Sequence, residues 1–267
     1  MGLGLVMSLT FWVIYQSDIK QKESLILQDV ENSAQALRLK LRRNEFAINA
    51  IARDLGRRKI TQAEFKRYSD NFFASSPEVL LLTWVNLQGS ERATASSFFN
   101  PTDSFLLTPV TSSKRLKQNE SAVAFRGAIE SRRPVYSEPF SASQQPSELQ
   151  IELHSPIMSK GEPSGILIAT YSVPIMLQTA IPSGIANRVK FELKKNDSQP
   201  IESNLFNHQT NLDEIGNSLN LLGYPKTPIQ SNYSAALTTL IFCLITVALV
   251  SNVMLIRHAK RRKEIEK

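Results

Sequence analysis

A chain of 267 residues with 42% hydrophobic and 21% charged side chains has room for one or two modest domains beside membrane segments, and it is not disordered or fibrous in composition. The net charge of +7 is uneven: the last eleven residues hold six basic and two acidic side chains, so much of the excess belongs to one short tail and gives little ground for nucleic-acid binding. The single cysteine, Cys243, rules out an internal disulfide and any cysteine-built metal site.

Residues 2–15, GLGLVMSLTFWVIY, form an apolar run that ends on Phe11, Trp12 and Tyr15, a cluster of the kind found at membrane interfaces. This stretch is expected to be a first membrane span over 1–16, although its fourteen apolar residues rise only about 21 Å as a helix. From Leu27 onward, the positions Leu27, Val30, Ala34, Leu37, Leu41, Asn44, Ile48, Ile51 and Leu55 are spaced 3, 4, 3, 4, a heptad seam with one polar interruption at Asn44. The spacing predicts a long homodimer helix within 17–76. Leu39, Phe46 and Ala50 lie off the seam and are expected to pack part of the helix on its own domain.

Gly56 and the basic residues at 57–59 close that helix, and Thr61 with Glu64 reads as a capping box opening a second one through Ser75. Two strands are expected at 79–90 and 91–99 about a turn at Gln88 and Gly89, followed by a solvated loop over 100–118 and a helix from Glu120 to Ser131. Three more strands are expected at 134–140, 148–158 and 163–173, the last two joined by a Lys160–Gly161 turn. A short helix over 174–182, a strand over 189–197 and a further strand at 219–224 complete the folded part.

Residues 235–256, AALTTLIFCLITVALVSNVMLI, carry no charge and are long enough as a helix, about 33 Å, to cross a bilayer core. Thr238, Thr239, Thr246, Ser251 and Asn252 can return their hydrogen bonds to the helix backbone. The following RHAKRRK places this end in the cytoplasm by the positive-inside rule.

The order long helix, short helix, two strands about a glycine turn, helix, three strands resembles extracytoplasmic PAS-like sensor modules. WVNLQGSERATASSFF, AFRGAIESRRPVYSEPF and LHSPIMSKGEPSGILIATYSVPIML look like the Cache and CHASE-type input domains of bacterial transmembrane sensor histidine kinases, over roughly residues 20–256. The resemblance implies an α+β fold, a PAS-like five-stranded antiparallel sheet with a long N-terminal helix behind it, flanked by two transmembrane helices. It also implies a small-molecule pocket between the sheet and its crossing loops, and signal transfer to a kinase domain that this chain does not contain. The expected organisation is a first transmembrane segment (1–16), dimer helix and second helix (17–76), PAS-like sensor module (77–182), small membrane-proximal module (183–232), second transmembrane helix (233–256) and basic cytoplasmic linker (257–267).

No constellation suits an enzyme: neither a positioned general base nor a set of metal ligands is visible, and no catalytic residue, metal or cofactor is expected. Sheet-facing polar or aromatic residues that could line a ligand pocket are Trp84, Arg92, Arg126, Tyr136, His154 and Tyr171. Arg92 and Arg126 would suit a carboxylate by bidentate pairing, while Trp84 and Tyr171 could equally be core aromatics and the arginines solvent-exposed. The sequence is thus read as the periplasmic sensor region of an inner-membrane, two-component histidine kinase. Its partners would be a small-molecule ligand, the lipid membrane, a second copy of the chain and, through the kinase, a response regulator, with no nucleic acid. The alternatives are a membrane-tethered binding or adaptor protein with no kinase, and the input region of a cyclase or chemotaxis receptor.

Overall fold

The computed structural model describes residues 2–58, 60–97, 119–141, 149–195, 208–212, 219–226 and 232–265. The expected loop over 100–118 lies outside them. The helices are α1 (Gly2–Arg57), α2 (Gln62–Ser75), α3 (Asn119–Ser131), α4 (Val173–Ala180), α5 (Ser183–Ala186) and α6 (Asn232–Ile265). The strands are β1 (Val79–Val85), β2 (Glu91–Ser96), β3 (Val135–Tyr136), β4 (Phe140–Ser141), β5 (Leu149–Ser159), β6 (Glu162–Ser172), β7 (Val189–Lys195), β8 (His208–Asn211) and β9 (Leu219–Pro225).

Leu27–Lys226 form one compact unit. Its main sheet runs β2-β1-β6-β5-β3, with β4 also on β5, and all its pairings are antiparallel. The single strand expected over 134–140 is split in two around Pro139, which has no N–H to give a ladder. At the β5–β6 hairpin, Lys160 and Gly161 have φ of 52° and 89°, the paired left-handed conformations that let a two-residue turn match the twist of its strands. At the β1–β2 turn, Asn86 Oδ1 accepts from the backbone N–H of Gln88 and Ser90, so the side chain substitutes for a strand partner. A smaller sheet, β7-β9-β8, includes a strand, HQTN at 208–211, that polar composition hid from sequence reasoning.

The sheet is covered on both faces, which explains why β5 and β6 are buried nearly end to end. Leu37, Leu41, Ile48, Ala52 and Leu55 of α1 and Phe65, Phe72 and Phe73 of α2 pack on one face, against Leu82, Ile151, Leu153, Ile157, Leu167 and Ala169. On the opposite face, Phe125 and Ala128 of α3 meet Val85, Ile166 and Ile168. The heptad seam is therefore occupied within the chain: Val30, Ala34, Leu37, Leu41 and Ile48 are at most 1% exposed, Asn44 and Leu55 are buried, Ile51 is half-buried, and only Leu27 is exposed. The roles expected for the two strips of α1 are exchanged, because the seam packs on its own domain while Leu39 and Phe46 face outward. Asn44 interrupts the seam to serve this packing: its Nδ2 donates to Glu78 Oε1 at 2.6 Å, its Oδ1 accepts from Ser76 Oγ at 3.1 Å, and Lys40 Nζ closes on Glu78 Oε2 at 3.2 Å.

α1 also holds the small sheet. Leu193, Leu212, Leu219 and Leu221 extend the same core, Arg188 forms a two-pronged pair with Asp29 at 2.8 and 3.1 Å, and a Cβ on Gly223 would collide with Val30 Cγ2. The capping box of α2 is present as expected, with Thr61 Oγ1 accepting from Glu64 N–H and Glu64 Oε2 accepting from Thr61 N–H.

The second unit comprises Met1–Ile26 and Thr227–Lys267. Within it, Ile241–His258 of α6 is long and apolar enough to cross a bilayer, with a mean hydropathy of 1.9, and Phe242, Val247, Leu249 and Met254 are openly exposed. Thr246 Oγ1 and Asn252 Nδ2 donate to carbonyls one turn back, removing their polar cost in lipid. Among the described residues this is the single such stretch, so the expectation of two flanking spans is corrected to one. Residues 2–15 are helical, but the run is short, and Asp18, Lys20, Lys22 and Glu23 follow at once.

Candidate functional site

Alternation along β5 sends Ile151, Leu153 and Ile157 toward α1 and places Glu152 and His154 on the face beneath α3. There they form a polar cluster inside an otherwise apolar layer. Glu152 Oε2 accepts from Ser121 Oγ of α3 at 2.6 Å and lies 3.1 Å from His154 Nε2, while Thr170 Oγ1 of β6 approaches Glu152 Oε1 at 3.5 Å. Ser137 Oγ, on the β3 side, accepts from Glu152 N–H at 2.8 Å. Phe125 meets the His154 ring edge-on, with centroids 6.3 Å apart. Glu152, His154 and Ser121 are 0% exposed, and Thr170 and Ser137 are 1% exposed.

A carboxylate beside Nε2 fixes the tautomer, since the proton belongs on the nitrogen that has an acceptor. The ring's other nitrogen, Nδ1, is buried with no partner among the described residues. A buried polar atom left unpaired costs about 1–3 kcal/mol, so this cluster has room for one more hydrogen bond than the described residues supply.

The six sequence-predicted pocket residues fall in three places. His154 alone is in the cluster beneath α3. Tyr136 and Tyr171 lie on the α1 face as a tilted pair with centroids 6.4 Å apart; Tyr136 donates to the Leu41 carbonyl at 3.4 Å, and Tyr171 Oη has no partner among the described residues. Burial pushes both phenols well above the usual tyrosine range, reinforced for Tyr136 by Glu45 and for Tyr171 by Tyr136, Glu78 and Glu45. Trp84 and Arg92 occupy a corner near the end of α1, with the guanidinium 5.5 Å above the indole. Arg126 is on the outer side of α3 and turns back to the Ala122 carbonyl of its own helix at 3.5 Å.

Sequence reasoning passed over Glu152, Ser121, Ser137 and Thr170. The available signal was the string LQIELHSPIM, in which a carboxylate and an imidazole two residues apart share one face of a strand that is otherwise apolar. Among the described residues, no three His, Cys, Asp or Glu side chains gather as a metal site.

No family model matches the chain, and no curated protein matches it. Solved structures do. The ligand-binding domain of the Pseudomonas fluorescens chemoreceptor CtaA, in complex with L-valine, aligns with a TM-score of 0.54 at 10% identity over 79% of this chain and 100% of that one. The ligand-binding domain of the Pseudomonas aeruginosa amino acid chemoreceptor PctC, in complex with GABA, aligns with a TM-score of 0.52 at 12% identity over 77% of this chain and 99% of that one. An extracellular ligand-binding receptor from Desulfohalobium retbaense gives 0.53 at 14% identity over 73% of this chain, which spans 39% of that longer protein. At these identities the likeness is one of fold: a long helix behind an antiparallel sheet, the PAS-like architecture also used by the ligand-binding domains of bacterial chemoreceptors.

Proposed function

We propose that the chain is the membrane-anchored, extracytoplasmic input region of a bacterial transmembrane receptor, and that it binds a small molecule beneath α3. The observation that carries this reading is the fully buried Glu152–His154 pair with Nδ1 unpaired, on the sheet face opposite the long helix. A buried carboxylate beside an imidazole whose Nδ1 has no partner among the described residues suits a ligand with a polar hydrogen-bonding group, such as an ammonium, amide or hydroxyl, and the amino acid ligands of the structural neighbours belong to that class. The basic residues at the end of α6, Arg257, Lys260 and Arg261, support a cytoplasmic C-terminal end and a folded unit outside the cytoplasm by the positive-inside rule.

The output we propose is a histidine kinase encoded beyond this region and acting on a response regulator, with the chain working as a homodimer in the inner membrane. A chemotaxis receptor is the second reading, favoured by the chemoreceptor domains that share the fold. The test is calorimetric titration of the whole chain in nanodiscs with a panel of L-amino acids, GABA and simple amines. Saturable binding of at least one donor-bearing compound is expected, weakened about tenfold or more in a folded Glu152→Gln or Ser121→Ala variant. Binding that both variants leave unchanged would place the ligand elsewhere.

A further inference from the structure

We propose that the cleft at the C-terminal end of α1 is a second small-molecule site, for a multiply charged oxyanion of the phosphate type. It lies at the Trp84 corner, on the sheet face that α1 and α2 cover, away from the Glu152–His154 cluster, and it does not depend on that cluster's role.

The cleft is open to solvent on one side and has a volume of about 510 Å³; among the described residues its lining includes Arg57, Arg58, Arg92, Trp84, Ser159 and Ser164 but no aspartate or glutamate. That volume falls within the range of small-molecule sites and exceeds what a bare inorganic ion fills. Arg57 and Arg58 close α1, where basic side chains complement the carbonyl end of the helix dipole, and that role would account for them alone. It does not account for Arg92, which arrives from β2 to line the same cleft.

The Arg92 guanidinium carbon lies 5.5 Å from the Trp84 ring centroid, and the Trp84 ring is tilted against Phe65 with centroids 6.3 Å apart. A guanidinium in cation–π contact keeps its N–H groups for other partners, and its fork matches two oxygens of a phosphate or carboxylate. None of the three arginines has a carboxylate within ion-pair distance among the described residues. Arg58 acts at a distance on Glu64, whose carboxyl is drawn below the usual range first by its hydrogen bonds with Thr61 and then by Arg67 and Arg58. Three arginines without an ion-pair partner among the described residues line one concave wall with the Ser159 hydroxyl beside them, while Ser164 Oγ donates to the Ile157 carbonyl at 3.1 Å, and together the cations form a well for an anion.

The experiment uses the full chain in nanodiscs at low ionic strength with Trp12→Phe, so that Trp84 is the remaining indole. Pyrophosphate is the probe, with succinate and chloride at matched ionic strength as comparison arms. Saturable change in Trp84 emission by pyrophosphate is expected, weakened about tenfold or more in Arg92→Ala and in Arg57→Ala/Arg58→Ala, with Arg92→Lys only partly restoring it because an ammonium lacks the fork. Glu152→Gln should leave this binding intact, which separates the two sites. The proposal is overturned if no saturation is reached, if chloride reproduces the response, if succinate binds as well as pyrophosphate, or if Arg92→Ala and Arg57→Ala/Arg58→Ala both bind like the parent.

Discussion

Tyr136 and Tyr171 sit side by side in the same core, yet they should respond differently to loss of their hydroxyls. Tyr136 donates to a backbone carbonyl, so Tyr136→Phe should cost about 1 kcal/mol in chemical denaturation. Tyr171 Oη has no acceptor among the described residues, so Tyr171→Phe should be neutral or mildly stabilising. Burial raises both phenol pKa values above the ordinary 10.0. A pKa raised in the folded state means that stability is intact below the unfolded value and is lost as pH climbs from about 10 through the folded value. Absorbance titration near the phenolate band should therefore show two of the six tyrosines ionising only as the chain unfolds, and the double Phe variant should flatten the alkaline arm of the stability curve. At this scale the sequence was a partial guide. It singled out His154 but not Glu152 two residues earlier on the same strand face, nor Ser121 and Thr170, which arrive from α3 and β6 to meet Glu152, because those contacts depend on the tertiary fold.

The long helix α1 shows what a 3-4 spacing can and cannot say. It places side chains on one face, but it carries no information on whether the surface that covers them belongs to the same chain or to a second copy. Asn44, the polar interruption of that spacing, is the hydrogen-bond donor for buried Glu78. Asn44→Leu should accordingly destabilise the folded unit by about 2 kcal/mol, by leaving a charged acceptor short of a donor, rather than strengthen an association. Denaturant midpoints at two protein concentrations would distinguish the two outcomes.

The outward strip of the same helix, Gln28, Asn32, Gln35, Leu39, Arg42 and Phe46, is exposed and also follows 3-4 spacing. If the proposed homodimer pairs through α1, single cysteines at 39 and 46 in a Cys243→Ala background should crosslink in membranes, and cysteines at 37 and 41 should not. The reverse pattern would contradict the packing described for α1. Gly223 offers a check on how α1 holds the small sheet: Gly223→Val should cost about 1–3 kcal/mol through its collision with Val30, and Val30→Ala should recover part of the loss.

For the molecule as a whole, alternation and turn chemistry made most of the main sheet legible. Strands β1, β2, β5 and β6 and the turns at 88–89 and 160–161 are where Gly, Asn and apolar alternation put them. The small sheet was less legible because β8 is polar throughout, and the apolar start of α1 suggested a second span, whereas among the described residues Ile241–His258 is the one stretch long and apolar enough to cross a bilayer. With Ile241–His258 crossing the membrane, the proposed topology is one that reporter fusions can read. Alkaline phosphatase joined after Lys160 should be active and joined after Lys263 inactive, and the opposite pattern would invert the orientation.

The most direct measurement is hydrogen–deuterium exchange on the whole chain in nanodiscs, with and without the tightest compound from the amino acid and amine panel. Protection concentrated in 119–131, 149–155 and 166–171 is expected, because the ligand would bridge α3 to β5 and β6 at the Glu152–His154 cluster. Protection confined to 53–60 and 84–92, with 119–131 unchanged, would contradict a sensing site beneath α3.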